Sequence, residues 1–302
     1  MGRDPEYLAF MRRRLAAAPP PGPRPIEQIR REHAADLAPL PRPAVDVVKD
    51  LTLDGPAGPL PARLYAPASG TPVPGLVYLH GGGWALGDVE CYDPVVRALA
   101  VASGVAWVSV GYRRPPEDPF PAPLEDAVAA VRQVTARAGE LGLDPARIGV
   151  AGDSAGGQLA ASAALRLRGT GAPALQVLLY PAVDLREIPP DLPDPDGLEF
   201  APSGLARIVR LYLGGTDPSR PEVSPLLEPD PAGLPPAIIA TAEYDRLRPQ
   251  AERYARRLRA AGVPTTLITG TGLDHGFLGW GSCARAPAEA VARIGAAVRA
   301  AI

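Results

Sequence analysis

The sequence predicts an α/β fold in which a mostly parallel sheet of eight strands carries helices on both faces. Three observations support this fold class. Short apolar runs typical of buried strands alternate with segments of helical periodicity along 302 residues. Apolar residues make up 46% of the chain, which is enough for a sizeable core. A glycine-rich turn at residues 152–157 also connects a predicted strand directly to a predicted helix.

Eight segments have the composition and length of strands. The first two are expected to form an antiparallel pair, and the other six form the core of the sheet. In chain order the predicted strands span residues 45–53, 62–65, 76–80, 105–110, 147–151, 175–180, 237–242 and 265–269.

Helices are predicted between the strands, where apolar residues recur at helical spacing. Such stripes follow residues 124, 251 and 287, and Gly262 is expected to end the second of these helices. Two short helices are predicted before the first strand, at residues 7–18 and 26–37. Residues 186–213 break the alternation, because a segment rich in proline and aspartate precedes a further amphipathic helix.

The turn at residues 152–157 has the pattern Gly-x-Ser-x-Gly. A serine on such a strand–turn–helix connection is held in a strained backbone conformation with its hydroxyl exposed above the sheet. The glycines are needed because a side chain there would collide with the neighbouring strand or helix. Ser154 is therefore predicted to be a nucleophile, with the Ala155 amide facing a developing oxyanion. The alternative is a glycine-rich connection without chemistry.

A serine nucleophile needs a base, and the chain has three histidines. His33 lies in a charged segment and is predicted to be solvated. His80 begins a His-Gly-Gly-Gly run after a strand, where it is expected to brace a loop that supplies oxyanion amides. His275 follows the last predicted strand and comes after the serine in chain order, so it is the predicted base. The alternative for His275 is a loop residue that caps a helix.

The acid that orients the base should lie between the two, at the end of another strand. Asp245 is the predicted acid, because it follows the strand at residues 237–242. Glu243 is a candidate for a supporting position, and Asp184 is a rival because it also follows a strand. Asp274 is adjacent to His275, and neighbouring side chains in a loop rarely face each other well enough for this role.

These motifs resemble the hormone-sensitive-lipase-like family of bacterial α/β-hydrolase esterases. The resemblance implies Ser154 as nucleophile, Asp245 as acid and His275 as base, with oxyanion amides from Gly82, Gly83 and Ala155. Two departures from the family pattern are the Arg-Arg-Pro-Pro-Glu run at residues 113–117 and the Arg-Leu-Arg-Pro-Gln run at residues 246–250. The second places an additional cation beside the acid. The matching segments are residues 80–84, 111–113, 120–126, 152–157, 241–245 and 274–277.

The resemblance also implies a small helical cap over the catalytic face. We assign residues 1–43 to N-terminal cap helices, 186–213 to a second cap segment, and 44–185 with 214–302 to the α/β-hydrolase core. Trp84 is expected either to shape the pocket or to pack beneath the loop, and Asp153 to bond loop amides. The predicted pocket residues are Trp84, Asp153, Tyr180, Leu205, Ile208 and Phe277.

Composition agrees with a soluble enzyme. The net charge of −2 gives no reason to expect binding to nucleic acid or to an anionic membrane. The start of the chain lacks an apolar signal core and no stretch is long and apolar enough to span a membrane. A cytoplasmic location is therefore the default, and export by a non-classical route is the alternative. Cys91 and Cys283 are too few for a disulfide framework, although one bond between them stays open. We expect no cofactor and no metal ion, and a homodimer stays open.

The predicted function is a serine carboxylesterase that hydrolyses esters with short to medium acyl chains through an acyl-enzyme. The resemblance to the family implies this acyl length, because its cap usually leaves a limited pocket. An acyltransferase, a lactone-forming enzyme, a lyase or an amidase on the same scaffold are alternatives. A non-catalytic small-molecule receptor is a further alternative, since the plant gibberellin receptors resemble this family. Those receptors have lost the base, whereas His275 is present here.

Overall fold

The computed structural model of the protein describes residues 2–18, 22, 24–190, 194–198 and 204–302. Its eight strands form one sheet, which confirms the predicted fold class. The strands are β1 Val47–Gly55, β2 Gly58–Ala66, β3 Val73–Leu79, β4 Ala106–Val110, β5 Leu143–Asp153, β6 Gln176–Leu179, β7 Ala237–Tyr244 and β8 Thr265–Asp274. Their order in the sheet is β1-β2-β4-β3-β5-β6-β7-β8, with β2 antiparallel to both of its neighbours and all other pairs parallel.

Helices cover both faces of the sheet. They are α1 Pro5–Ala16, α2 Ile26–Leu37, α3 Asp93–Ser103, α4 Ala122–Ala136, α5 Ala155–Arg166, α6 Leu205–Leu213, α7 Arg248–Ala260 and α8 Arg285–Ala301. Side chains from α4, α5 and α7 pack with one set of strand residues, and those from α3 and α8 pack with the other set. Val77 and Tyr78 illustrate this division, because adjacent strand residues point to opposite faces.

The parallel strands bring their carboxyl ends to one edge of the sheet. Leu79 at the end of β3 is in register with Gly152 of β5, and Asp153 pairs with Leu179 at the end of β6. At the far side, Tyr244 of β7 is in register with Asp274 of β8. The residues that follow these strands therefore meet at a common edge, which is where open α/β sheets bind their ligands.

The N-terminal helices and α6 lie near this edge. Phe10 of α1 contacts the Trp280 ring at 5.5 Å between centroids. Tyr212 of α6 stacks on the Trp84 ring at 4.4 Å. Residues 19–21, 23, 191–193 and 199–203, which the sequence places around or within the predicted cap, lie outside the described residues. The division of the chain into cap and core stays a prediction.

Two further observations concern the described chain as a whole. Cys91 is buried, Cys283 is half-buried, and both thiols are free, so no disulfide joins them. In the described ranges, every helix is too short or too polar to cross a membrane.

Candidate active site

Ser154 occupies a strained turn between β5 and α5. Its φ of 53° and ψ of −114° lie where a side chain is rarely tolerated. Its amide donates to the Leu179 carbonyl oxygen at 2.8 Å. A Cβ at Gly152 would lie 2.2 Å from the Gly156 oxygen, and one at Gly156 would lie 1.9 Å from the Leu79 oxygen. Glycine is therefore required on both sides of the serine, as the motif predicts.

Three predicted side chains meet at the carboxyl edge of the sheet. Ser154 Oγ lies 2.9 Å from His275 Nε2, and His275 Nδ1 lies 2.7 Å from Asp245 Oδ2. The other carboxylate oxygen of Asp245 accepts the Leu247 amide at 2.8 Å. The Asp245 side chain is only 1% exposed, whereas that of His275 is 40% exposed on the pocket side. A buried carboxylate thus holds an accessible imidazole against a hydroxyl.

The other acidic candidates have different partners. The Asp184 carboxylate accepts from Arg186 at 2.9 Å and from Arg253 at 3.1 Å. Glu243 accepts the Gly272 amide at 2.6 Å and so supports the end of β8. Asp274, although adjacent to His275, bonds to Arg3 instead. The structure therefore brings Asp245 alone of these carboxylates within hydrogen-bond distance of the His275 ring.

The environment of His275 favours the protonated ring. Desolvation lowers the pKa of His275, but the charge and the hydrogen bond of Asp245 outweigh it. The Asp153 carboxylate acts in the same direction as Asp245, and the Arg246 cation opposes them. The net result is a pKa raised above the ordinary histidine value. The additional cation that the sequence places after the acid thus moderates this increase.

The glycine loop after β3 lines the same pocket as the serine. Gly82 and Gly83 have φ of 95° and 60°, and both line the pocket. Within the described part of the chain, neither amide donates to another protein group. The Ala155 amide at the first position of α5 also lacks an intrahelical acceptor, as first-turn amides do. These three amides are the predicted oxyanion donors, and their position on the pocket wall is compatible with that role.

Asp153 braces the glycine loop from below. Its Oδ1 accepts the Gly81 amide at 2.7 Å and the Tyr78 hydroxyl at 2.6 Å. Desolvation raises the pKa of Asp153 to about 6 despite both hydrogen bonds. A Cβ at Gly81 would lie 2.3 Å from the carboxylate, so only glycine permits this contact. The expectation that Asp153 bonds loop amides is confirmed.

His80 and His33 occupy different environments. His80 is fully buried, stacks on Tyr112 at 4.3 Å, and contacts the Gly81 oxygen through Nδ1 at 2.9 Å. Desolvation lowers the pKa of His80 to about 4. Its ring therefore stays neutral and supports the loop, as predicted. The expectation that His33 is solvated is wrong, because it is half-buried, contacts Tyr92 and lines the pocket.

A cavity of about 850 Å³ opens above the three side chains. Five of the six predicted pocket residues line it: Trp84, Asp153, Tyr180, Leu205 and Ile208. The prediction for Phe277 is wrong, because that ring is 1% exposed and packs edge-on against Tyr180 at 5.2 Å. Tyr180 therefore stands between Phe277 and the cavity, and its own ring lies 4.9 Å from that of His275.

Trp84 combines the two roles that the sequence left open. The residue lines the cavity but is only 1% exposed, and its indole nitrogen donates to Gln158 at 2.8 Å. Gln158 in turn donates to the Val223 carbonyl oxygen at 3.1 Å. Trp84 is thus a wall residue fixed by packing and by a buried hydrogen-bond network.

Sequence reasoning missed the pocket residues supplied by the N-terminal helices and by the segment after His275. An available signal was the apolar spacing within each helix, which predicts a buried face but not the surface that it contacts. For Trp280 the only signal was its closeness to His275 in the chain. The residues missed in this way include Met11, Arg14, Leu37, Leu278 and Trp280.

Comparisons with known proteins agree with this geometry. A profile of the α/β-hydrolase fold family matches residues 76–279. The esterase LipI of Mycobacterium tuberculosis is 39% identical over 279 residues, covering 89% of this chain and 86% of the relative. An ethyl acetate hydrolase of Pseudomonas putida is 37% identical over 246 residues, covering 78% of this chain and 77% of the relative.

Solved esterase structures are similar to this chain over almost its full length. A hyperthermophilic esterase from the archaeon Pyrobaculum calidifontis superimposes with a TM-score of 0.88 at 36% identity, covering 99% of both chains. The matched profile, the identities and the order of the motifs agree with one another. The chain therefore belongs to the α/β-hydrolase family, within its hormone-sensitive-lipase-like group of esterases.

Proposed function

We propose that this protein is a serine carboxylesterase that hydrolyses small carboxylic esters through an acyl-enzyme. The observation that carries the proposal is the continuous path from Ser154 Oγ through the His275 ring to the Asp245 carboxylate, at 2.9 and 2.7 Å. Both distances are within the reach required for a nucleophile, its base and the group that orients the base. The esterases among its relatives support the same reaction class.

In the first half of the reaction, Ser154 Oγ attacks the ester carbonyl carbon while His275 Nε2 takes the hydroxyl proton. Asp245 holds Nδ1–H and stabilises the imidazolium that forms. The tetrahedral intermediate collapses when the bond to the alcohol oxygen breaks and His275 returns the proton to that oxygen. In the second half, His275 deprotonates a water that attacks the acyl carbon. The bond from this carbon to Ser154 Oγ then breaks, His275 returns the proton to Oγ, and the carboxylic acid product leaves.

The negative charge of each tetrahedral intermediate falls on the former carbonyl oxygen. We propose that the amides of Gly82, Gly83 and Ala155 bind this oxygen, since they line the pocket next to Ser154. Loss of one such donor typically costs about 3–4 kcal/mol of transition-state stabilisation. Asp153 and Tyr112 hold the loop in place, the latter by donating its hydroxyl to the His80 oxygen at 2.7 Å.

The proposed substrates have short to medium acyl chains. Ile208 from α6 lies directly over the glycine loop, because a Cβ on Gly83 would be 2.5 Å from Ile208 Cγ2. The cavity wall also includes Leu205, Trp84 and Tyr180. These side chains provide apolar surface near the reacting carbon but close off the space above the loop. One relative bears the name ethyl acetate hydrolase, which agrees with small esters.

We expect kcat/KM to be higher for p-nitrophenyl acetate, butyrate and hexanoate than for the palmitate, because Ile208 limits the space for an acyl chain above the glycine loop. A panel of these esters, assayed at equal detergent, measures the preference. Adding a primary alcohol as a competing acceptor separates hydrolysis from acyl transfer through the products formed. Highest activity with palmitate would contradict the substrate class, and ester exchange as the main product would favour an acyltransferase.

The pH profile of kcat/KM is expected to have an acid limb above about pH 6.5, the ordinary pKa of histidine. His275 must be neutral to accept the serine proton, and Asp245 raises the pKa of this ring. Activity is therefore lost as the pH falls through that raised pKa. The acid limb is measured from initial rates between pH 4 and 9, roughly the range over which a histidine changes from the protonated to the neutral form.

Asp153 titrates in a neighbouring range and needs a control. In Asp153→Asn the acid limb should persist and move slightly downward, because the Asp153 carboxylate contributes to the raised pKa of His275. A limb that disappears in this variant would assign the titration to Asp153 instead.

The remaining proposals concern location and partners. We propose a cytoplasmic enzyme whose only required partner is the ester, with no nucleic acid and no stable insertion into a membrane. Sedimentation analysis at enzyme concentrations used for assay measures whether the chain forms a homodimer.

A further inference from the structure

Arg3 is a buried cation outside the three residues that carry the proposed chemistry. It lies just before α1, and its side chain is fully excluded from solvent. Its Nε and Nη2 donate to the two carboxylate oxygens of Asp274 at 3.0 and 2.6 Å. Its Nη1 donates to Asp194 at 3.0 Å and to Asp196 at 2.7 Å, and Nη2 also reaches Asp194 at 2.5 Å. One guanidinium therefore binds three carboxylates.

The partners of Arg3 adjoin the proposed acid and base. Asp274 immediately precedes His275, and its amide donates to the Tyr7 hydroxyl at 3.4 Å. The Arg3 guanidinium also lies over the Tyr244 ring at 4.2 Å, and Tyr244 immediately precedes Asp245. Tyr244 and Asp274 are in register across β7 and β8. Arg3 thus contacts the last residue of both strands from which the acid and the base emerge.

The geometry of Asp274 explains why its contact with Arg3 matters for His275. Both carboxylate oxygens of Asp274 are held by the planar fork of the guanidinium, which is a directional contact. His275 follows at the point where β8 ends and the chain turns at Gly276, whose φ is 83°. A rotation of the backbone at Asp274 would move the imidazole away from the Ser154 hydroxyl.

The positive charge of Arg3 offsets part of the negative charge of the three carboxylates that it binds. Asp194, Asp196 and Asp274 have side chains that are 7%, 20% and 7% exposed, so water screens them weakly. Without a cation, three carboxylates would repel one another at the end of β8. The segment at residues 194–198 would be driven from the pocket edge, where Asp194 and Leu198 contribute to the wall.

We propose that Arg3 is a positioning residue that fixes the strand ends carrying Asp245 and His275 and binds the segment at residues 194–198 to them. This inference rests on the proposed function, because its consequence is the alignment of the acid–base pair for ester hydrolysis. Arg3 itself does not touch the reacting atoms. It acts through Asp274 and Tyr244, and it joins the N-terminal segment to the active site.

The test compares Arg3→Gln and Arg3→Lys with the unmodified chain, using p-nitrophenyl acetate because this small ester depends little on the outer pocket. Arg3→Gln should lower kcat by about tenfold to 100-fold, the range expected when a catalytic group is misplaced. KM should change much less. Arg3→Lys restores the charge but not the planar fork, so it should recover only part of kcat.

The pH profile separates the charge of Arg3 from its geometry. His275 is faced by Asp245, Asp153, Arg246, the Ser154 hydroxyl and the Tyr180 ring. Loss of the Arg3 cation adds net negative charge beside this group and favours the imidazolium. The acid limb of Arg3→Gln should therefore move to higher pH, whereas that of Arg3→Lys should stay at the position of the unmodified chain.

Arg63→Gln is the matched control. Arg63 also binds several carboxylates, Asp50, Glu90 and Asp93, but it lies on β2 and does not line the pocket among the described residues. This variant should lower the melting temperature without changing kcat or the acid limb. A loss of stability in Arg3→Gln with kcat and acid limb unchanged would overturn the proposal, as Arg3 would then act like Arg63.

The remaining outcomes are also decisive. If Arg3→Gln does not fold, Arg3→Lys alone decides: a full kcat contradicts the proposal, and a lowered kcat at an unchanged acid limb supports it. Absence of ester hydrolysis in the unmodified chain would overturn the proposed function and this inference with it. Full activity of Arg3→Gln beside an active unmodified chain would overturn only the role of Arg3.

Discussion

Replacing Ser154 by alanine is expected to lower kcat/KM for p-nitrophenyl butyrate by roughly 10⁵- to 10⁶-fold, the loss seen when a serine nucleophile is removed from such a unit. Without the hydroxyl no acyl-enzyme forms, and His275 and the amides retain only weak assistance to water. Initial rates of p-nitrophenol release measure the effect. A melting curve shows whether the fold is retained, which we expect because the substitution removes a single oxygen from a half-buried site.

Ser69→Ala is the matched control for the nucleophile. Ser69 is exposed in the loop between β2 and β3, and its hydroxyl bonds only locally, to the Thr71 oxygen at 2.7 Å. This variant should retain full activity. An inactive preparation purified in the same way is first used to exclude contamination by other esterases. Substantial hydrolysis by Ser154→Ala after this control would refute the assignment of the nucleophile.

Replacing Asp245 by asparagine is expected to lower kcat by about 10⁴-fold, because an amide in this position favours the wrong imidazole tautomer. In the unmodified chain, the Asp245 carboxylate accepts a hydrogen bond from His275 Nδ1 at 2.7 Å, which leaves His275 Nε2 free to accept the Ser154 proton. An asparagine that donates its NH₂ to Nδ1 would place the ring proton on Nε2, toward the serine. Steady-state kinetics at the pH optimum, with a melting curve for each variant, measure the loss.

Asp184→Asn is the matched control for the acid. Asp184 also follows a parallel strand and is 3% exposed, but its carboxylate is paired with Arg186 and Arg253 instead of a histidine. Its substitution should affect stability more than kcat. Comparable losses of kcat in the two variants would contradict the specific role of Asp245.

Much of the fold follows from local patterns in the sequence. Each core strand is a short run between breaks, and the predicted ends of all eight strands lie within five residues of the observed ones, with the largest difference at the end of β8. The turn around Ser154 was predictable because two of its glycines have no room for a Cβ, so their presence reflects a steric requirement. The common position of Ser154, Asp245 and His275 follows from parallel strands, whose carboxyl ends lie at one edge.

The pocket was less predictable because its walls depend on contacts between distant segments. Phe277 is adjacent in the chain to residues at the cavity, but the Tyr180 ring packs between it and the open space. His33 follows a charged helical pattern, yet α2 turns that position toward Tyr92. The bonds of Arg3 with Asp194 and Asp274 span 191 and 271 residues, a separation on which local periodicity carries no information.

The central claim is that Ser154 is the residue that forms the covalent acyl intermediate, and labelling with a p-nitrophenyl alkylphosphonate tests it most directly. The phosphorus atom is attacked as the ester carbonyl would be, p-nitrophenol leaves, and a stable adduct remains on the nucleophile. We predict one phosphonyl group per chain by intact mass, located on the peptide containing Ser154 and absent from Ser154→Ala, with loss of activity in proportion to labelling. An adduct on another residue, or equal labelling of Ser154→Ala, would contradict the account.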